Sequence, residues 1–110
     1  MIIRVIVLLA VAILVTNFVS AQLSPTKTKA AKKLFSQKCA KCHGSNGAGT
    51  TYGQIVGATD LSDAAWQEKV DDQRVITSIT HGRGQMPAFE KKLSEEQIEL
   101  LANYVRAFRK

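Results

Sequence analysis

Only two cysteines occur in the 110 residues, and they stand three positions apart in Cys39-Ala40-Lys41-Cys42-His43, with an imidazole directly after the second thiol. A bridge between them would close a tiny loop and hardly restrict the unfolded chain. The chain around them is short. Arg4 precedes an apolar run from Val5 to Val15, and Val19-Ser20-Ala21 ends it with small residues, the pattern of a secretory signal peptide spanning 1–21. Retention as an anchor is the competing reading, because Val5 to Ala21 would reach about 25 Å as a helix, just short of a hydrocarbon core. Cleavage leaves one domain, Gln22 to Lys110, exported to the periplasm or beyond and without a membrane span. At 89 residues such a domain is too short to bury a generous core from side chains alone, and small exported chains usually add disulfides or a bound prosthetic group.

The spacing says which group. C-x-x-C-H is the pattern by which two thiols add across the vinyl groups of haem while the adjacent imidazole takes one face of the iron. The apolar macrocycle then also supplies the missing half of the core. Three other chemistries fit worse. A thioredoxin-like dithiol opens a helix after a strand, whereas this motif follows an amphipathic helix. Zinc needs four ligands, and the chain holds only Cys39, Cys42, His43 and His81 without a second ligand pair at the usual spacing. A structural disulfide leaves His43 unexplained.

Iron bound by His43 needs a sixth ligand if it is to pass electrons without binding small molecules. The one methionine after the leader is Met86, in Gly82-Arg83-Gly84-Gln85-Met86-Pro87-Ala88-Phe89. A thioether there raises the reduction potential. Met86 alone would read as core filler; beside the C-x-x-C-H motif it reads as the ligand. His81, five residues earlier among polar neighbours, is the rival, and its bland reading is a surface histidine at a helix end.

Periodicity predicts helices. Ala30, Ala31, Leu34, Phe35 and Cys39 share one face of a helix over Lys27–Lys38, with Pro25 just before it. Glycines 44, 47, 49, 53 and 57 predict a long surface loop from Gly44 to Thr59. A short helix follows from Ser62 or Asp63 through Trp66 to about Lys69. Another, capped by Asp71 or Asp72 and stopped by Gly82, carries Val75, Ile76 and Ile79; its β-branched content means only packing could hold it helical. The last helix starts at Ser94, with Gln97 completing a capping box and Leu93 and Ile98 a staple. Ile98, Leu101, Ala102, Val105 and Phe108 form its apolar stripe, and Arg106, Arg109 and Lys110 suit its dipole.

Without Arg4 the chain keeps 14 basic and 9 acidic residues, a formal +5. Lys27, Lys29, Lys32, Lys33, Lys38 and Lys41 crowd before or within the cysteine motif, which suggests an acidic docking partner over a merely solvated face. Nucleic acid fits poorly, since no aromatic residues interleave the lysines and the chain is exported.

Together these residues resemble class I cytochrome c, in particular its short bacterial and photosynthetic single-haem members. The likeness runs from Phe35, four residues before Cys39, through Cys39–Gly44, the glycine loop and Leu61 to Gly84–Phe89 and the terminal Leu101–Phe108. It implies an all-α fold of four or so short helices wrapped around one covalent haem c, with Cys39 and Cys42 bonded to the ring and His43 and Met86 on the iron. The first and last helices should cross with Ala31, where relatives often have glycine, against Tyr104. Relatives also have a proline whose carbonyl receives the histidine proton. None stands between Pro25 and Pro87 here, so a carbonyl between Tyr52 and Ala58 is expected instead. By analogy Tyr52, Gln54, Trp66 and Arg83 are candidates for the haem propionates. The implied activity is that of a monomeric electron carrier and not an enzyme, alternating between ferrous and ferric iron. It would serve a terminal oxidase, a reductase or a photosynthetic reaction centre, with Lys38 and Lys41 steering the acidic partner. The alternative is a haem subunit of a larger, membrane-anchored respiratory or dehydrogenase complex.

Overall fold

In the computed structural model of the chain, residues 22–110 are described. The expected signal segment, 1–21, lies outside them. Six helices follow one another: α1 Pro25–Lys38, α2 Ala40–His43, α3 Thr51–Val56, α4 Ala64–Lys69, α5 Asp72–His81 and α6 Glu95–Arg106. Among the described residues there is no strand, only a bridge between Arg83 and Met86. None of the helices is long and apolar enough to cross a membrane. The architecture is the expected all-α one.

Local chemistry accounts for the boundaries. Ser24, Asp63, Asp71 and Ser94 cap α1, α4, α5 and α6, each accepting a backbone N–H from three residues on. At α6 the box is reciprocal, Ser94 Oγ accepting from Gln97 N at 3.1 Å and Gln97 Oε1 from Ser94 N at 3.0 Å. α1 starts two residues earlier than its apolar pattern suggests, because Pro25 is the first helical residue, where its missing N–H is harmless. The glycine-rich stretch is not all loop. Thr50 caps α3, its hydroxyl accepting from the Gly53 amide at 3.0 Å, and left-handed Gly57 ends it.

α6 packs on both α1 and α5. Ala31 and Phe35 are the buried residues of α1, and Phe35 meets Tyr104 and Phe108 with ring centroids 5.5 and 4.9 Å apart. Ala31 is fully buried at this crossing face, in keeping with the small residue expected there. Phe108 lies past the end of α6 yet still packs on the core. α5 stays helical despite Val75, Ile76 and Ile79 because Val75 and Ile79 enter the same cluster as Leu61, Phe89, Leu101 and Val105. Leu93 and Ile98, the staple pair, are buried as well.

Arg106 ties α4 to α6. Its guanidinium donates to the Gln67 and Val70 carbonyls, to Gln67 Oε1 and to Asp72, so it closes the C-terminus of α4 with its neighbours' oxygens. Gln67, buried behind it, donates to the Leu61 and Val105 carbonyls at 2.8 and 2.9 Å. Every buried side-chain nitrogen and oxygen among the described residues has a partner.

Candidate functional site

The core cluster is not continuous. It surrounds a partly open cleft of about 450 Å³ walled by Phe35, Leu61, Trp66, Val75, Phe89 and Leu101, within the ~300–1,000 Å³ usual for ligand sites. At ~24 cal/mol per Å³ a closed void of that size would cost about 10 kcal/mol, comparable with the whole stability of a small domain. An open cleft lies below that ceiling, yet its apolar walls still call for an apolar occupant.

Cys39, Cys42 and His43 line one side of this cleft, and Met86 also lines it. Cys39 is the break between α1 and α2, with φ −123°, and the short α2 carries Cys42 and His43. Both thiols are free. Burial pushes the Cys39 thiol up to about 11, with the Cys42 thiol adding to it. A thioether sulfur bears no charge, so the site suits a bonded sulfur better than a thiolate.

His43 is oriented by the backbone. Its Nδ1 lies 3.0 Å from the Thr59 carbonyl, which can only accept, so Nδ1 carries the proton and Nε2 keeps its lone pair. The carbonyl is one residue beyond the expected Tyr52–Ala58 segment. The chain reaches it because α3 occupies residues 51–56 and left-handed Gly57 turns residues 57–59 back along the cleft wall. Burial holds the His43 imidazole below the usual histidine range, partly opposed by this hydrogen bond.

Two close approaches fix the segments that carry Cys42 and Met86. A Cβ on Gly53 would lie 2.0 Å from the Cys42 carbonyl oxygen, so only glycine lets α3 rest on the cysteine turn. Thr50 Oγ1 adds hydrogen bonds to the Lys41 and Cys42 carbonyls at 2.7 and 3.3 Å. Gly82, at φ +76°, lets Met86–Ala88 pass where a Cβ would meet the Met86 oxygen at 2.6 Å. Arg83 and Met86 exchange both backbone hydrogen bonds, 3.0 and 2.9 Å, forming a tight turn, and Phe89 and Glu90 donate to the Ile79 and Thr80 carbonyls of α5. Met86 therefore sits on a loop tied at both ends.

Of the four candidates for propionate contact, Trp66 and Arg83 line the cleft, whereas Tyr52 and Gln54 do not and stand exposed. Sequence reasoning missed Arg74 and Ser78, which α5 turns toward the cleft. Arg74 and Ser78 stand four apart and so share one face of α5, but exposed helix positions share that spacing. His81 does not line the cleft; it is exposed, with Nδ1 3.6 Å from Glu90.

An apolar slot, two sulfurs on one rim, an imidazole nitrogen with a free lone pair and a thioether are together the donor set for haem. The comparisons agree. The sequence model of the family described as cytochrome c oxidase, cbb3-type, subunit III matches residues 26–105. Cytochrome c6 of Rippkaea orientalis is 36% identical over 104 residues, covering 91% of each chain. The cbb3-type cytochrome c oxidase subunit FixP of Azorhizobium caulinodans is 41% identical over 86 residues, 74% of this chain but 28% of that protein; the chain thus spans little more than a quarter of this relative. Among solved structures, the KustC0563 c-type cytochrome superposes with a TM-score of 0.70 at 40% identity, over 73% of this chain and 98% of that one. On this sequence, this fold and these relatives, the chain belongs to the class I c-type cytochromes, the electron-transport proteins that carry covalently bound haem c.

Proposed function

We propose that the chain is an exported single-haem electron carrier in which Cys39 and Cys42 would hold the ring through thioethers and His43 and Met86 would bind its iron. The observation that carries this reading is the convergence of these four side chains on one apolar cleft. The bound haem supplies a one-electron couple between ferrous and ferric iron. The protein's part is positional. The Thr59 carbonyl keeps the proton on Nδ1 of His43, so Nε2 is presented to the metal, and the tied Gly82–Phe89 loop presents the Met86 sulfur from a fixed backbone. The largely apolar walls would limit water around the group, and with His43 and Met86 both retained in each oxidation state little rearrangement would accompany an electron. Arg74, Arg83 and Trp66 are suited to the propionates, since they line the same cleft.

Lys38 borders the cleft and Lys41 lies within the cysteine motif, so a redox partner with an acidic surface is the expected docking target. Transfer rates to such a partner that ignore ionic strength would remove this point. The decisive test of the site is spectral: Met86→Ala should lose the ferric sulfur-to-iron band and lower the midpoint potential, while haem stays bound through acidified-solvent extraction. An unchanged spectrum and potential would leave Met86 off the iron.

A second reading has a specific support. The family model and the FixP relative describe subunits of an oxidase, and this chain matches only 28% of that relative's length. A haem subunit tethered in a respiratory complex would keep residues 1–21 and sediment with membranes. Loss of that segment from the mature mass, and recovery in the soluble periplasmic fraction, would favour the freely diffusing carrier.

A further inference from the structure

Tyr52 and Ile55 are the large hydrophobic side chains left exposed among the described residues, at 48% and 78%. Three positions apart on α3, they share one face of it. That face is rigidly mounted: Gly53 rests on the Cys42 carbonyl and Thr50 bonds to Lys41 and Cys42, so α3 cannot move without the cysteine turn. Residues 56–59, immediately after Ile55, line the cleft.

The segment that carries them has charge of one sign. Residues 22–59 hold six lysines and no acid, whereas residues 60–110 hold nine acidic and eight basic side chains. Lys41 stands over the Tyr52 ring, 4.9 Å from its centre, and Lys38 borders the cleft. A single exposed isoleucine is ordinary. An aromatic and an isoleucine together on a fixed helix, beside the cleft and within an acid-free segment that brings Lys41 over the ring, have the make-up of an interface centre: a few apolar contacts flanked by charge.

We propose that Tyr52 and Ile55 form the apolar contact on which a redox partner seats, a protein whose matching surface is an apolar patch ringed by carboxylates. The proposal rests on the electron-carrier reading and adds to it the place of contact. Lysines act at a distance, raising the encounter rate and orienting the molecule, while the apolar pair acts after contact and sets how long the complex lasts. Because α3 is already held, seating it orders little further chain. One electron leaves the ferrous protein and one is gained by an oxidised acceptor protein; no bond or proton changes hands.

The test uses the haem-loaded protein adsorbed on gold bearing alkanethiol monolayers, either carboxylate-ended or mixed methyl- and carboxylate-ended to imitate an acid-ringed apolar patch. On the mixed surface Ile55→Ser should slow interfacial electron transfer about tenfold, and Tyr52→Ser similarly, with the midpoint potential and visible spectrum unchanged. Ile55→Leu should retain the rate. On the carboxylate surface Lys41→Gln should slow transfer and Ile55→Ser should not. A rate for Ile55→Ser within twofold of wild type on the mixed surface overturns the proposal while leaving the carrier reading intact. A wild-type protein with no reversible one-electron wave overturns both. Co-sedimentation with phosphatidylcholine–phosphatidylglycerol vesicles that is abolished by Ile55→Ser would assign the pair to a lipid surface and likewise overturn it.

Discussion

Gly53 shows how much one residue decides here. In an exposed helix glycine is unfavourable by about 1 kcal/mol against alanine, so propensity alone makes Gly53→Ala stabilising. The packing reverses the sign, because the new Cβ would lie 2.0 Å from the Cys42 oxygen and α3 would have to leave the cysteine turn. Gly53→Ala is expected to destabilise the holoprotein by about 3 kcal/mol, read by chemical denaturation followed at the haem band. Arg106 makes the same point with charge. Sequence reasoning placed it at the back of the last helix to suit that helix's dipole; its fork in fact closes the end of α4 through the Gln67 and Val70 carbonyls. Lysine cannot reproduce the fork, so Arg106→Lys should lose about 2 kcal/mol and fall close to Arg106→Ala in the same assay. Cys39, Cys42 and His43 are suggested by their spacing and Met86 by being the one methionine after the leader, and the structure brings all four to one cleft. Thr59 has no such signal, since a backbone carbonyl leaves no trace in residue identity.

Helix boundaries were legible at α4, α5 and α6, but not at the Ser24 cap of α1 or the Thr50 cap of α3. Asp63, Asp71, Ser94 with Gln97, and the stopping Gly82 are all where the capping rules put them. Ser94→Ala should lower stability by about 1 kcal/mol and fray the first turn of α6, seen as faster amide exchange at Gln97 and Ile98. α3 was hidden because two of its flanking signals, Gly49 and Gly57, and the glycine inside it are also loop signals; what holds it helical is contact with Cys42, far from its own sequence. The turn leading into α4 offers a pH test. Asp60 Oδ1 accepts from Ser62 Oγ and N at 2.6 and 2.9 Å, and the Ser62 carbonyl receives the Lys110 amide. Those bonds from Ser62 hold the Asp60 carboxyl below the ordinary range. The unfolded chain therefore binds the proton more readily. Stability from Asp60 is complete above the unfolded value near ~3.9 and is lost as pH falls through the lower folded value. Asp60→Ala should lower Tm at pH 7, and the gap from wild type should narrow on acidification below about pH 4.

At the scale of the molecule, fold and cofactor are one problem. Nearly every core side chain, from Phe35 on α1 to Val105 on α6, either packs on another helix or faces the cleft, and several do both. The apolar stripes were readable from periodicity, but periodicity says only that a face is buried, not whether protein or a prosthetic group covers it. The cysteine motif resolved that for α1 and α2, and left the α5 wall, with Arg74 and Ser78, to be found in three dimensions. A domain this small, with its core opened by a slot of about 450 Å³, has little margin once the slot loses its occupant. Replacing both cysteines, Cys39→Ala with Cys42→Ala, removes the covalent hold while subtracting little apolar surface. Exported protein of this kind should be recovered without bound haem and with helical circular dichroism well below that of the wild type. It should also lack a cooperative thermal transition, and added haem should restore part of both through His43 and Met86. A colourless double variant that melts cooperatively near the wild-type Tm would mean that the six helices close on themselves, and that the slot is a consequence of the fold and not a condition for it.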